Sequence, residues 1–170
     1  GLEGSYELIE LSQEEVPAFL AKAGETYGGL NVTIPYKVKV MAGLQTVSRE
    51  AESIGAVNTI KFQGRTGHGF NTDYFGFGRM LDHNDISLKG KRVVMLGNGG
   101  GAKAVLQAVI DRKPESIKVV ARNIATAKEK LKNFVARTPN LSFVDYATFR
   151  AQPAGDAMIN TTPVGMFPKV

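Results

Sequence analysis

Five residues, Gly97-Asn98-Gly99-Gly100-Gly101, constrain this chain more than any others. They stand between a β-rich run over 92–96 and a segment whose apolar residues Ala102, Val105, Leu106, Val109 and Ile110 share one helical face. With Ala102 they fit G-x-G-x-x-A. Glycines so placed permit a tight strand-to-helix turn and let backbone N–H groups approach a pyrophosphate, while the helix N-terminus adds partial positive charge. The pattern then repeats. Residues 117–121 read as the next strand, Ala127, Leu131, Phe134 and Val135 mark the next helix, and 141–144 and 156–160 read as further strands. Alternating strands and helices of these lengths predict a parallel sheet with right-handed crossovers. The second half is therefore expected to be a Rossmann-like, doubly wound dinucleotide-binding domain.

The first half is less regular but also α/β. Residues 5–10 alternate like a short strand. Ser12 and Glu15 make a capping-box signature for a helix through about Ala23, although Pro17 conflicts with an early start. Residues 30–34 read as a strand ended by Pro35, and a helix is expected over 36–42. Residues 56–62 and 66–70 read as a hairpin turning at Gln63-Gly64-Arg65. A helix over 74–81 is weakened by Gly76 and Gly78. The polar stretch 82–91 separates the halves and is the expected hinge. The expected division is 1–82 and 83–170.

Composition removes several classes of function. The chain has 170 residues and no cysteine, so disulfide staples and thiolate nucleophiles are excluded. Two histidines leave few ligands for a structural metal, and none is expected. The lack of cysteine fits a reducing, cytoplasmic compartment. No apolar run is long enough to cross a bilayer. Residues 1–30 hold one Lys and six Glu, net −5, so residues 31–170 carry +10. Such a basic surface suits a multiply anionic small molecule or nucleic acid. The basic residues are scattered and lack interleaved stacking aromatics, so a nucleic-acid partner is not expected.

Single residues sharpen this. An NAD site usually places Asp or Glu after the second strand to hold the ribose 2′-hydroxyl. This chain has Ala121-Arg122-Asn123 there. Arg122 is a planar cation suited to a 2′-phosphate, which points to NADP; its ordinary alternative is a solvated surface Arg. Lys37 follows the run 31–36, and Asp73 follows Asn71-Thr72 at the start of a helix. Together they would form a charged pair able to bind hydroxyls and handle a proton. Taken singly, they read as a solvated Lys and an N-capping Asp. His68 and His83 read as structural or solvated, and Phe70, Tyr74, Phe75 and Phe77 as core.

Five blocks in order resemble the shikimate dehydrogenase family. They are Asn31-Val32-Thr33-Ile34-Pro35-Tyr36-Lys37, Gly55-Ala56-Val57-Asn58-Thr59, Gly69-Phe70-Asn71-Thr72-Asp73, the glycine turn, and Ile159-Asn160-Thr161-Thr162-Pro163-Val164-Gly165-Met166. The resemblance implies an α/β chain with a substrate domain followed by a Rossmann-like NADP domain. It implies that Lys37 and Asp73 are the catalytic pair, and that they bind 3-dehydroshikimate or shikimate together with Thr33 and Asn58. Gly97, Asn98, Gly99, Gly100 and Gly101 would hold the cofactor pyrophosphate, Arg122 and Asn123 the 2′-phosphate end, and Thr161 the nicotinamide end. The implied reaction is reversible hydride transfer between NADPH and a ring ketone, in aromatic amino-acid biosynthesis. A homodimer is compatible with the resemblance. Two alternatives stay open: a quinate/shikimate dehydrogenase accepting NAD, and a non-catalytic dinucleotide-binding module. On the same resemblance the 170 residues correspond to a central portion, lacking a leading strand with two carboxylate-binding serines and a closing helix with a substrate-binding Gln.

Overall fold

The computed structural model describes residues 3–165. Two four-stranded sheets organise them. The first is mixed. Its strands are β1 (Gly29–Asn31), β2 (Thr46–Val47), β3 (Thr59–Gln63) and β4 (Thr66–Phe70), in the order β1-β3-β4-β2. β3 and β4 form the expected hairpin. Gln63 pairs with Thr66, leaving Gly64-Arg65 as a two-residue turn with Gly64 at φ +58°. β1 adds antiparallel to β3, and β2 adds parallel to β4.

The second sheet is wholly parallel. Its strands are β5 (Arg92–Leu96), β6 (Ser116–Val120), β7 (Leu141–Val144) and β8 (Ala157–Asn160), in the order β7-β6-β5-β8. The chain winds from β5 outward to β7, then returns to lay β8 on the other side of β5. This reversal makes the β5/β8 boundary the switch point where ligands sit in such sheets. β5 is central and its Val93, Val94 and Met95 are buried, which accounts for its continuous apolar run. The fold is α/β.

Helices α1 (Val16–Ala23), α2 (Arg49–Ile54), α3 (Thr72–His83), α4 (Ala102–Asp111), α5 (Ile124–Lys130), α6 (Lys132–Val135) and α7 (Tyr146–Ala151) complete the framework. α1 begins with Pro17 in its first turn, where a missing N–H costs least, and Ser12 N donates to Glu15 Oε2 at 2.7 Å. That resolves the Pro17 conflict by a later start. α4 is buried on more than one face because it lies between the second sheet and α2 and α3. Gly78 in α3 also has a structural reason. A Cβ there would lie 3.1 Å from Arg112 Nη2, and Arg112 donates to Gly78 O at 2.8 Å. A helical glycine costs about 1 kcal/mol. A hydrogen bond from a charged donor is worth roughly 1.5–3 kcal/mol, so the guanidinium seat offsets it.

Several expectations are corrected. Residues 5–10 form no strand among the described residues; Tyr6 and Leu8 are exposed. The run 30–34 is a strand only to Asn31, because the chain turns at residues 33–36, where Tyr36 N donates to Thr33 O at 2.9 Å. Residues 36–42 hold turns and a 3₁₀ segment, Lys39–Gly43, instead of an α-helix. The helix expected over 127–135 breaks at Leu131 into α5 and α6. Of residues 84–91 only Leu88 is buried, seated with Leu81, and Gly90 N donates to Lys113 O. Phe75 is exposed, not core, while Tyr74 packs with Ile54, Ala56 and Ala104.

Candidate functional site

Lys37 and Asp73 converge. Lys37 sits on the turn six residues beyond β1, and its carbonyl accepts from Val57 N at 2.7 Å. Asp73 sits in the first turn of α3. Lys37 Nζ lies 2.7 Å from Asp73 Oδ2, with side-chain exposures of 19% and 41%. The ammonium is thus sheltered while the carboxylate still faces solvent. The N-capping reading of Asp73 is overturned. Asn71 is the cap, its Oδ1 accepting from Tyr74 N, and its Nδ2 donates to Ala56 O at 2.9 Å. With the cap supplied by its neighbour, the Asp73 side chain is available to Lys37.

Asn58 belongs to the same cluster. It is 8% exposed. Its Oδ1 accepts from Thr72 N at 2.9 Å and from Thr59 Oγ1 at 3.0 Å, and its Nδ2 donates to Thr72 Oγ1 at 3.0 Å. An amide nitrogen carries two donors, so one N–H remains for a ligand. Asn71 and Thr72, which tie α3 to this wall, stand inside one of the five blocks but were given no role from the sequence. Thr33 is exposed four residues before Lys37 and lines a neighbouring apolar hollow of about 540 Å³ bordered by residues 5–11.

The glycine turn faces this wall across a cleft. Thr72, Asp73, Gly76 and Phe77 from α3, Gly101 and Val105 from the turn and α4, and Asn160 and Thr161 from the end of β8 line a space of about 460 Å³. Lys37 reaches that cleft through its bond to Asp73. Near the mouth, a Cβ on Gly100 would lie 3.5 Å from Ile34 Cγ1. The two halves of the chain therefore meet at the switch point between β5 and β8.

The turn itself suits a pyrophosphate. Gly97 adopts φ +96°, and a Cβ there would lie 2.8 Å from Thr162 Cγ2. Gly99 and Gly101 open onto free space. The amides of Gly99, Gly100 and Gly101 have no acceptor among the described residues, so they are donors facing solvent at the N-terminus of a ten-residue helix. Thr161 Oγ1 donates to Leu96 O at 2.6 Å, fastening the end of β8 to the end of β5. Asn160 Oδ1 accepts from Thr162 N and Thr162 Oγ1, which shapes the turn against Gly97. Arg122 is exposed just past β6 and makes no ion pair among the described residues. Asn123 caps α5, accepting from Thr126 N at 2.9 Å. Lys103, in the first turn of α4, has its ammonium pushed below the usual range by burial. Met166, the last residue of the fifth block, lies outside the described residues.

Residues 1–60 match the model of the shikimate dehydrogenase substrate binding domain. The chain is 39% identical over 170 residues to shikimate dehydrogenase (NADP(+)) of Clostridium beijerinckii, covering 99% of this chain and 60% of that protein. It is 42% identical over 142 residues to the enzyme of the same name from Clostridium perfringens, covering 84% and 51%. Among solved structures it resembles a chorismate mutase/shikimate 5-dehydrogenase fusion protein from Clostridium acetobutylicum, with a TM-score of 0.87, 42% identity and coverage of 99% and 60%. It also resembles shikimate 5-dehydrogenase from Thermus thermophilus, solved in complex with NADP(H) and shikimate, with a TM-score of 0.80, 34% identity and coverage of 96% and 59%. The chain thus spans 50% to 60% of the length of the curated relatives it matches. Across both halves the chain is similar in sequence and in fold to shikimate dehydrogenases.

Proposed function

We propose that the protein carrying this chain is an NADP-dependent shikimate dehydrogenase, and that the cleft between α3 and the glycine turn is its reaction site. The carrying observation is the Lys37–Asp73 pair at 2.7 Å, with Asp73 lining the same cleft as Gly101 and Thr161. In this reading residues 1–82 supply the substrate side and 83–170 the cofactor side. The family resemblance supports a cytoplasmic enzyme acting on a small polyhydroxylated acid; a homodimer without a nucleic-acid partner belongs to the same reading.

The residues present fit the cofactor. Of Gly97, Asn98, Gly99, Gly100 and Gly101, the last three offer amides without an acceptor among the described residues, and Gly99 and Gly101 leave open space where a Cβ would stand, as a pyrophosphate requires, while Gly97 N donates to Val120 O. Arg122, with Asn123 beside it, would meet the 2′-phosphate, and Thr161 would border the nicotinamide end. NADPH supplies the hydride when bound. The chain's own residues do the rest. Reduction of the ring ketone builds negative charge on its oxygen, and Lys37 Nζ stabilises that charge and delivers the proton. Asp73 holds the ammonium in place and accepts from a substrate hydroxyl. The spare Asn58 N–H and the Thr33 hydroxyl supply further hydroxyl contacts. A site built to satisfy several hydroxyls rejects analogues lacking them, because its own polar groups would be left unpaired.

The direct test mixes the full chain with shikimate and NADP+ and follows NADPH absorbance. Shikimate-dependent NADPH formation is the expected result. Binding of NADP+ without any turnover would leave only the dinucleotide-binding role.

A further inference from the structure

One cluster of polar groups between the two halves has no part in the chemistry above. It gathers at the C-terminal end of α4. Tyr74 Oη donates to Asp111 Oδ2 at 2.8 Å, and Gln107 Nε2 donates to Asp111 Oδ1 at 2.9 Å. Arg137 Nη2 donates to Gln107 Oε1 at 2.5 Å and to Ser53 O at 2.9 Å. Arg112, just past α4, donates through Nη2 to Gly78 O and to Asp82 Oδ1, each at 2.8 Å, and through Nη1 to Ala108 O at 3.2 Å. The end of α2, the first turn of α3 and the last turns of α3 are thereby all tied to one end of α4.

The apolar part of this contact has two patches: Ile54, Ala56 and Tyr74 pack with Ala104, and Phe77 and Leu81 of α3 share a core with Leu106 and Val109 of α4. Apolar burial is non-directional, whereas hydrogen bonds to fixed carbonyls and carboxylates specify direction. The polar cluster is therefore what sets the angle between the halves. Its placement matters for the cleft. Tyr74 directly follows Asp73 at the start of α3, and Gly101 caps the opposite end of α4. A tilt of α3 on α4 changes the gap between the Lys37–Asp73 pair and the glycine turn. Gly78 is shaped to the same end, since any side chain there would displace the Arg112 guanidinium.

We propose that Tyr74, Asp111 and Arg112 are positioning residues that fix the angle between the two sheets, and with it the distance from the Lys37–Asp73 pair to the glycine turn. Only the kinetic part of this inference rests on the proposed dehydrogenase reaction. The structural part is independent of it.

The chain has no cysteine, so the full chain can be spin-labelled through Lys61→Cys on β3 and Lys128→Cys on α5, both exposed. Double electron–electron resonance then reads the distance distribution between the halves. Tyr74→Phe keeps the ring in the Ile54–Ala104 contact, and Arg112→Met keeps the apolar stem, so both variants preserve packing. Each should broaden the distribution, and together they should broaden it about twofold as further tilts become populated. In the unlabelled enzyme the pair should lower kcat about tenfold while NADPH affinity stays the same, because misplacement of reacting groups costs rate and not cofactor contacts. An unchanged distance distribution would overturn the positioning role even if the wild type turns over shikimate. A broadened distribution in a protein without turnover would support the positioning of the halves and count against the dehydrogenase reading alone.

Discussion

Asn58 shows how one side chain serves folding and a site at once. Three of its hydrogen bonds run to Thr59 and Thr72, holding the hairpin to the start of α3. Asn58→Ala removes all three from a residue that is itself buried, and should cost about 1–3 kcal/mol in chemical denaturation, at the upper end of single hydrogen-bond losses. Arg122 is the contrasting case, an exposed cation with no side-chain hydrogen bond or ion pair among the described residues. Arg122→Ala should leave the melting temperature unchanged and reduce the preference for NADPH over NADH by at least about tenfold, the equivalent of one charge-assisted contact. Fluorescence titration of both cofactors checks this; an unchanged preference would remove Arg122 from the cofactor site. At this scale the sequence was informative about residue types and silent about partners. Lys37 and Asp73 stand 36 positions apart, and no periodicity pairs them. Their pairing became visible only through family-wide blocks, and the reason the pair forms, capping by Asn71, required coordinates.

Elements were legible in proportion to their burial and regularity. β5, β7 and the hairpin turn fall where expected because their runs are bounded by glycines or charged residues and lie inside a sheet. β2, with two residues, and α2 and α7, with six each, escaped notice because they are too short to show a period. The alternation over 5–10 read as a strand, yet a strand needs a ladder partner, and it has none among the described residues. The end of β8 tests the same scale. Gly97→Ala would force a Cβ to within 2.8 Å of Thr162 Cγ2 at φ +96°. It should lower NADPH affinity strongly and reduce stability by about 1 kcal/mol or more, read by titration and thermal melting.

The start of β8 gives a pH signature. Asp156 accepts from Arg92 N at 2.8 Å and from Arg92 Nη2 at 2.9 Å, joining the base of β8 to the base of β5. The side-chain and backbone bonds from Arg92 hold its carboxyl down at about 2. An ordinary Asp titrates near about 3.9 in an unfolded chain. The folded value is the lower one, so the stabilisation is fully present above about pH 4 and is lost as the pH falls toward about 2. Asp156→Asn should therefore lower the melting temperature at neutral pH and flatten its acid dependence in that window. A wild-type-like acid limb in the variant would show that the Arg92 pair carries no stability.

At the scale of the whole molecule, the parallel sheet was the most legible feature and the seam between the halves the least. Strand and helix alternation announced the β5–β8 unit. A hinge was expected in the polar stretch 82–91, whose residues 84–91 are exposed except at Leu88, but polarity says nothing of which surfaces pack. The halves pack through α3 on α4. Phe77 and Leu81 of α3 join the core of the second sheet, while Asp73 at the other end of α3 faces Lys37 of the first half. That bridging helix is why the Lys37–Asp73 pair on one half can face the glycine turn on the other. The claim is tested most directly by steady-state kinetics of Lys37→Met in the full chain with 3-dehydroshikimate and NADPH. The variant keeps the apolar stem and removes the ammonium, so kcat should fall about a hundredfold or more while NADPH affinity is unchanged. Normal turnover in Lys37→Met would contradict the account.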